Sequence, residues 1–203
     1  KHHGYSYRNY ISDPGQWSNL FKWTQPERWR VHFPTEIDDD PEVMLSDAHI
    51  EEQLQRFLPN SQKFEVVHRT LYTVHQRVAA TFRKGRAILA GDSAHINSPI
   101  GGMGLNSGVH DAMNLGEKLT RILNGQDSQD VLDRYTRQRR HVAVHHTKVQ
   151  TERNKRVLME KDPAVRKQNH DNLKRTSSDP KLMREYLLRT SLMNSVREAA
   201  AIE

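Results

Sequence analysis

The sequence predicts a mixed α/β fold, and three observations carry that prediction. Trp29, Val31 and Phe33 alternate with Arg28, Arg30 and His32, the period-two pattern of a half-buried strand. The short apolar run Ala87-Ile88-Leu89-Ala90 fits a buried strand and leads straight into a glycine-bearing turn. Beyond it, Leu105, Val109, Ala112, Gly116, Leu119 and Leu123 recur at alternating steps of four and three. That is the apolar stripe of one long helix, which closes at Asn124-Gly125.

The remaining elements follow in order. Pro14-Gly15 and Pro26-Glu27 supply turns in the first third. Tyr5, Tyr7, Trp17, Phe21 and Trp23 make this the aromatic-rich part of the chain, suited to one wall of a pocket for a flat apolar ligand; a sheet face packed on a core accounts for any single one of them. Asp38-Asp39-Asp40-Pro41 reads as a loop. A short helix follows, with Asp47 as N-cap and Ile50, Leu54, Phe57 and Leu58 on one face, and Pro59-Asn60 ends it. From Phe64 to Phe82 the β-branched and aromatic residues Val66, Val67, Thr70, Tyr72, Thr73 and Val74 favour strand. After the long helix a second one starts near Ser128 and carries Val131, Leu132, Tyr135, Val142 and Val149. Further helices are expected from Pro163 to Leu173 and from Pro180 to the C-terminus, with Thr176-Ser177-Ser178-Asp179 as the break.

At 203 residues the chain can bury one sizeable core or two modest ones. It contains no cysteine, which excludes disulfides and thiolate metal sites and makes a cytoplasmic setting the default. No run reaches the roughly 18 apolar residues that span a bilayer, and the opening Lys1-His2-His3-Gly4-Tyr5 has no apolar signal core behind its charges. The abrupt start without methionine suggests that further sequence precedes residue 1. The net charge of +6 is uneven, with thirteen Lys or Arg against four Asp or Glu between Arg134 and Arg175. Tyr135 is the only aromatic residue in that stretch, so it reads as solvated helix rather than as a nucleic-acid surface.

The chemistry is concentrated between Gly85 and Asn106. Gly91 lets the backbone pass close to a ligand, and Asp92 presents a carboxylate at the C-terminal end of the Ala87–Ala90 run, where ligands collect in α/β folds. Pro99 follows, then Gly101, Gly102 and Gly104, immediately before the helix that opens with Leu105 and Asn106. Glycines there leave backbone N–H groups uncovered at a helix N-terminus, which favours an anion or an electron-rich carbonyl without a cationic side chain.

The ordered combination of strand, Gly91-Asp92, Ala94-His95, Pro99, Gly101-Gly102-x-Gly104-Leu105-Asn106 and Asp111-Ala112-x-Asn114-Leu115 closely resembles the second flavin-binding signature of the class A, single-component flavoprotein monooxygenases, the para-hydroxybenzoate hydroxylase family. The match is tight over Gly85 to Leu119, and Leu132, Tyr135 and Arg139 also fit the helix that follows in such enzymes. The resemblance implies the C-terminal part of such a fold, with residues 1–80 in a mostly β substrate-binding domain with an antiparallel sheet, 81–125 in the flavin-facing part of the FAD-binding domain, and 126–203 as a helical C-terminal region. It implies that Asp92 hydrogen-bonds the flavin ribityl hydroxyls and that Pro99 lies near the oxygen-reactive carbon. The N–H groups around Gly104, Leu105 and Asn106 would face the pyrimidine end of the ring, with Gly91, Gly101 and Gly102 completing the cofactor-binding set. In the family NAD(P)H reduces FAD, O2 adds to give a flavin hydroperoxide, and its distal oxygen passes to a small aromatic substrate.

Two departures stand out. Met103 occupies a position where some members carry lysine, so cationic help is absent there. No Gly-x-Gly-x-x-Gly occurs in the chain, and that is the family's FAD pyrophosphate site. The adenine-binding half is therefore expected on an N-terminal segment outside this sequence, and the chain alone is expected to bind FAD poorly.

Other constellations read more plainly. His95 reads as a structural hydrogen-bonding residue rather than a base. His141, His145 and His146 include the i, i+4 spacing that chelates zinc, but no carboxylate lies one turn away, so a solvated face is the expectation and no metal site is assigned. Asp111 with Lys118 or Glu117 resembles an acid/base set, but Asp111 reads rather as a loop anchor; Arg77 and Arg83 flank the strand entering the motif and are placed either to meet a carboxylate or phosphate or to stand at the surface. Ser93 and Ser107, near His95 and His110, lie outside any Gly-x-Ser-x-Gly elbow, which rules out a hydrolase triad. The expected activity is hydroxylation of a small aromatic or heteroaromatic substrate. The rivals are a flavin-dependent reductase or halogenase of the same fold and a basic helical binding module. Oligomeric state stays open, with a homodimer among the options.

Overall fold

A computed structural model describes residues 4–23 and 28–203. The expected turn at Pro26-Glu27 and the first three residues lie outside the described set. The chain forms two compact units, residues 1–73 with 158–161 and residues 74–157 with 162–203. Antiparallel sheets and a helical C-terminal region confirm the mixed α/β reading. Among the described residues no helix is long and apolar enough to cross a membrane.

In the first unit β1 (Arg8–Ile11), β2 (Ser18–Trp23) and β3 (Arg28–His32) form an antiparallel sheet in that order, with Leu20 opposite Asn9 and Val31. The Pro14-Gly15 turn between β1 and β2 is held by Asp13, whose Oδ1 accepts from the N–H groups of Gly15 and Gln16 at 2.8 and 3.2 Å. The expected alternation in β3 does not become alternating burial. Arg28, Trp29 and Arg30 are exposed, while Val31 and His32 are both half-buried. Among the described residues β3 is an outer strand with neighbours on one side only, and burial follows position along it rather than face.

The aromatic side chains gather in two groups. Phe21 meets Tyr10 and His32, and Tyr5 meets Trp29 and Phe57. Tyr7 and Trp23 stay largely exposed.

Asp38–Pro41 is more than a loop. Asp40 caps a short helix, α1 (Pro41–Met44), by accepting from Glu42 N at 2.9 Å. The next helix, α2 (Asp47–Phe57), is capped by Ser46 rather than Asp47, with Ser46 Oγ accepting from His49 N at 3.2 Å. Asp47 instead occupies the first turn, where its charge suits the helix dipole.

The β-rich composition from Phe64 to Phe82 yields only one strand before Thr81, β4 (Arg77–Val78). Strand propensity needs a partner to become a ladder, and Val67, Leu71, Tyr72 and Val74 are exposed. In the second unit β4 pairs antiparallel with β7 (His95–Ile96), while β5 (Arg83–Lys84) and β6 (Ala87–Ile88) form a hairpin. The Ala87–Ala90 run is thus a half-exposed hairpin arm, not a buried strand, because among the described residues β5 alone flanks it. Behind these pieces Phe82, Ala94, Tyr135 and Ala143 form the core, with Val78, Ala79, Ile88, Leu89 and Leu115 packed against it.

The long helix α3 (Gly104–Leu123) forms as the spacing predicts. Its apolar stripe faces outward, with Leu105 81% and Leu123 84% exposed. The buried residues are Ser107, Asp111 and Lys118, which turn toward α4 (Val131–Val142). There the Lys118 ammonium donates to Asn114 Oδ1 and Gln138 Oε1, each at 2.9 Å. Desolvation lowers the Lys118 pKa.

The second expected helix is one run broken in pitch. A π-helical stretch at Ala143–Lys148 joins α4 to α5 (Val149–Leu158). The wider i→i+5 turns rotate the face that follows, so Val149 is exposed while Thr147, Gln150 and Thr151 are buried.

Helix α6 (Pro163–Ser178) continues through the expected break. Asp179 alone separates it from α7 (Pro180–Thr190), accepting from Lys181 and Leu182 N–H at 2.8 and 3.1 Å. The segment from Pro180 is not one helix. Leu192, at φ 64°, turns the chain into α8 (Met193–Ala200). The C-terminus is tied to α4 by Gln138 Nε2 and Arg134 Nε, which donate to Ile202 O at 2.8 and 2.9 Å.

Candidate functional site

The site is built around one buried carboxylate. Asp111, on the inward face of α3, accepts from Gly91 N–H at 2.9 Å and lies 2.8 Å from His95 Nε2, both through Oδ2. Its other oxygen accepts from Arg139 Nε of α4 at 2.5 Å, and the same guanidinium donates to Ser107 O at 3.3 Å. Burial pushes the Asp111 carboxyl up, but the His95 hydrogen bond and the Arg139 charge outweigh it and hold the group below its ordinary value. One side chain therefore fixes both ends of the Gly91–His95 turn, as expected of a loop anchor. His95 takes the structural role expected of it, buried and stacked on Phe82 with ring centroids 5.9 Å apart.

The turn is a single 3₁₀ turn, Gly91–Ser93, closed by Ala94 N donating to Gly91 O at 2.9 Å. Gly91 has φ 59°, a conformation that disfavours side chains. Its Cα lies against Gly108 of α3, where a Cβ on Gly108 would come to 3.4 Å. That approach lets the turn sit directly on the helix. It leaves the Asp92 carboxylate exposed, with no hydrogen bond among the described residues.

At the far side of the site Gly102 N donates to Pro99 O at 3.0 Å, and Gly101 and Gly102 have φ 103° and 66°. The chain then enters α3 through Met103, which is buried and offers no side-chain cap, and no acidic residue sits in the first turn. The first N–H groups of α3 are thus left for another acceptor, and the helix dipole adds partial positive charge there.

These pieces meet in one open cleft of about 310 Å³ lined by Asp92, Ile96, Asn97, Pro99, Gly102, Gly104 and Leu105. Of the eight residues singled out in the sequence, Asp92, Pro99, Gly102, Gly104 and Leu105 line it. Gly91 and Gly101 shape its two turns from behind, and Asn106 sits exposed in the first turn of α3.

The sequence does not single out Gly108, and it offers Lys118 only as a neighbour of Asp111, not as a buried residue. The signal for Lys118 was present as a polar stripe, Ser107, Asp111, Asn114 and Lys118, at helical steps opposite the apolar one. Arg83 holds the hairpin to α4 through Asp133 Oδ1 at 2.9 Å and Gln129 O at 3.0 Å.

The FAD binding domain family matches residues 12–150. The chain belongs to that family. Its para-hydroxybenzoate hydroxylase-like character is shared with its relatives. A para-nitrophenol 4-monooxygenase of a Pseudomonas species is 36% identical over 202 residues, covering 96% of this chain and 49% of the relative. A 3-(3-hydroxy-phenyl)propionate/3-hydroxycinnamic acid hydroxylase of Mycolicibacterium smegmatis is 40% identical over 111 residues, 55% of this chain and 20% of that protein. The crystal structure of a p-nitrophenol 4-monooxygenase from Pseudomonas putida superimposes with a TM-score of 0.80 at 35% identity, covering 96% of this chain and 49% of that one. The chain spans about half the length of the para-nitrophenol 4-monooxygenase, and its match to the hydroxylase covers a fifth of that protein.

The cleft of this FAD-binding-family chain fits the flavin end of FAD on its own geometry. Among the described residues it offers an acceptor without a partner at Asp92, uncommitted N–H donors at the start of α3, and positive-φ glycines that keep side chains out of the way.

Proposed function

We propose that the chain is the flavin-cradling part of an FAD-dependent monooxygenase that hydroxylates a small aromatic substrate, a phenol first of all, with NAD(P)H and O2 as co-substrates. The observation that carries this reading is the convergence of Asp92, Pro99 and the uncapped N-terminus of α3 on one cleft. FAD, when bound, supplies the redox and oxygen-activating chemistry.

The chain's own residues bind and orient. The Asp92 carboxylate accepts hydrogen bonds from the ribityl hydroxyls. The N–H groups of Gly104, Leu105 and Asn106 meet the pyrimidine end of the ring, where preorganised donors and the helix dipole stabilise negative charge. Pro99, exposed on the cleft, shields the ring edge, and Gly91, Gly101 and Gly102 hold the two turns open.

We assign the adenine end of FAD to sequence outside these residues, since no pyrophosphate fingerprint is present. The outward apolar stripe of α3 supports that assignment, because a contiguous apolar helix face calls for a cover. Residues 1–80 belong, in this reading, to the substrate-binding domain.

The test is NADH and NADPH oxidation by the protein together with its completing sequence, with 4-nitrophenol and 3-(3-hydroxyphenyl)propionate as substrates. Substrate-stimulated oxidation with an oxygenated product supports the assignment. Oxidation that yields only a reduced or halogenated product moves it to a reductase or halogenase of the same fold.

A further inference from the structure

We propose that His141, His146 and Glu198 form a binding site for a divalent transition-metal ion of the zinc type, clamping α8 onto the π-helical junction after α4. His141 Nε2 lies 2.8 Å from Glu198 Oε1, and His146 Nε2 lies 3.0 Å from Oε2 of the same carboxylate. The three ligand atoms fall within 4.8 Å of one another. Zinc holds nitrogen and oxygen at about 2.0–2.1 Å, so tetrahedral ligands stand roughly 3.3 Å apart. The two histidine–carboxylate separations need to open by only a few tenths of an ångström to admit the ion.

The backbone explains why these two histidines are paired. Residues five apart in an α-helix point roughly 140° away from each other at 3.6 residues per turn. The π-helical Ala143–Lys148 widens the turn between them, and i→i+5 geometry stacks such residues on one face. The His141 and His146 rings accordingly lie 5.8 Å apart. Sequence spacing alone pairs His141 with His145, but His145 is exposed and is not part of the cluster. The carboxylate missing from the helical pattern arrives from α8, whose position is fixed by the bonds from Arg134 and Gln138 to Ile202.

His146 Nε2 is buried and stands 3.0 Å from Glu198, so the Nε2 atoms of both histidines already face one carboxylate. Two histidines and one carboxylate leave an open position for water, and no cysteine is present to compete for the ion. The site does not draw on the flavin cleft, and its test reads metal binding rather than turnover.

The experiment is a titration of the metal-free protein with Zn²⁺ and Co²⁺, read by calorimetry, by the Co²⁺ visible spectrum and by the thermal midpoint. Wild type is expected to bind one ion with a rise in midpoint. His146→Ala and Glu198→Gln are each expected to weaken binding at least about tenfold, since loss of even an outer-shell partner costs 10–100-fold. His145→Ala is expected to bind as tightly as wild type, which also shows that a substitution in this helix leaves the fold intact. No binding by wild type, or binding by His146→Ala and Glu198→Gln as tight as wild type, overturns the proposal. So does a loss confined to His145→Ala.

Discussion

Arg139 Nε stands 2.5 Å from Asp111 Oδ1, with the Arg139 side chain 2% and the Asp111 side chain 0% exposed. This buried pair joins α4 to α3, and through the other oxygen of Asp111 it fixes the Gly91–His95 turn that presents Asp92. Removing one partner of a buried ion pair strands the other charge in the interior. Asp111→Ala and Arg139→Leu are each expected to lower stability by about 3–5 kcal/mol. The double variant should lose less than the sum of the two. Urea denaturation of the three proteins checks both statements.

The same carboxylate makes stability pH-dependent. Its folded pKa lies below the ordinary value of 3.8, so the folded state resists protonation more than the unfolded chain does. The contribution is complete above pH 3.8 and is lost as pH falls through the depressed folded value. The urea midpoint of wild type should therefore fall as the pH drops below 3.8 toward the folded value, and the fall should be shallower in Asp111→Asn.

Gly91 and Gly116 make opposite predictions. Gly91 has φ 59° and sits against Gly108, so Gly91→Ala is expected to cost about 1–2 kcal/mol and to shift the turn that carries Asp92. Gly116 lies inside α3 with nothing within 4 Å of the place a Cβ would take, so Gly116→Ala is expected to stabilise by about 0.5–1 kcal/mol. Thermal unfolding of the two variants separates the readings.

Tyr135 is buried in the core and its hydroxyl donates to Leu89 O at 2.8 Å, tying α4 to the segment just before the Gly91 turn. Tyr135→Phe removes that bond without changing the ring packing. A loss of about 1 kcal/mol is expected, measured as a shift in denaturation midpoint at unchanged slope.

What was legible in the sequence depended on whether the signal was local. The Gly-Asp turn, the glycine-rich entry to α3 and the helix itself rest on residues close in the chain, and Asp92, Pro99, Gly102, Gly104 and Leu105 meet in one cleft. Asp111 was readable as an anchor, whereas its partner Arg139 lies 28 residues away and was recognised only through the family resemblance.

The differences from the sequence reading have two causes, absent strand neighbours and a change in helical pitch. The β-rich stretch Phe64–Phe82 and the run Ala87–Ala90 have strand-forming side chains, but a strand is buried only by neighbours, and β5 and β7 are the partners these segments find among the described residues. The π-helical stretch after Val142 could not be read from apolar spacing, because the change in pitch moved burial from Val149 to Thr147, Gln150 and Thr151. That same change brought His146 to within 5.8 Å of His141, ring to ring, while His145 stays 4.6 Å from it.

The most direct test of the flavin assignment is the visible absorption spectrum of the protein with its completing sequence, beside the same protein carrying Asp92→Ala. The wild type is expected to show the bands of an oxidised flavin, and the variant a weaker flavin content at equal folded protein. A colourless protein that stays colourless after incubation with FAD would contradict it.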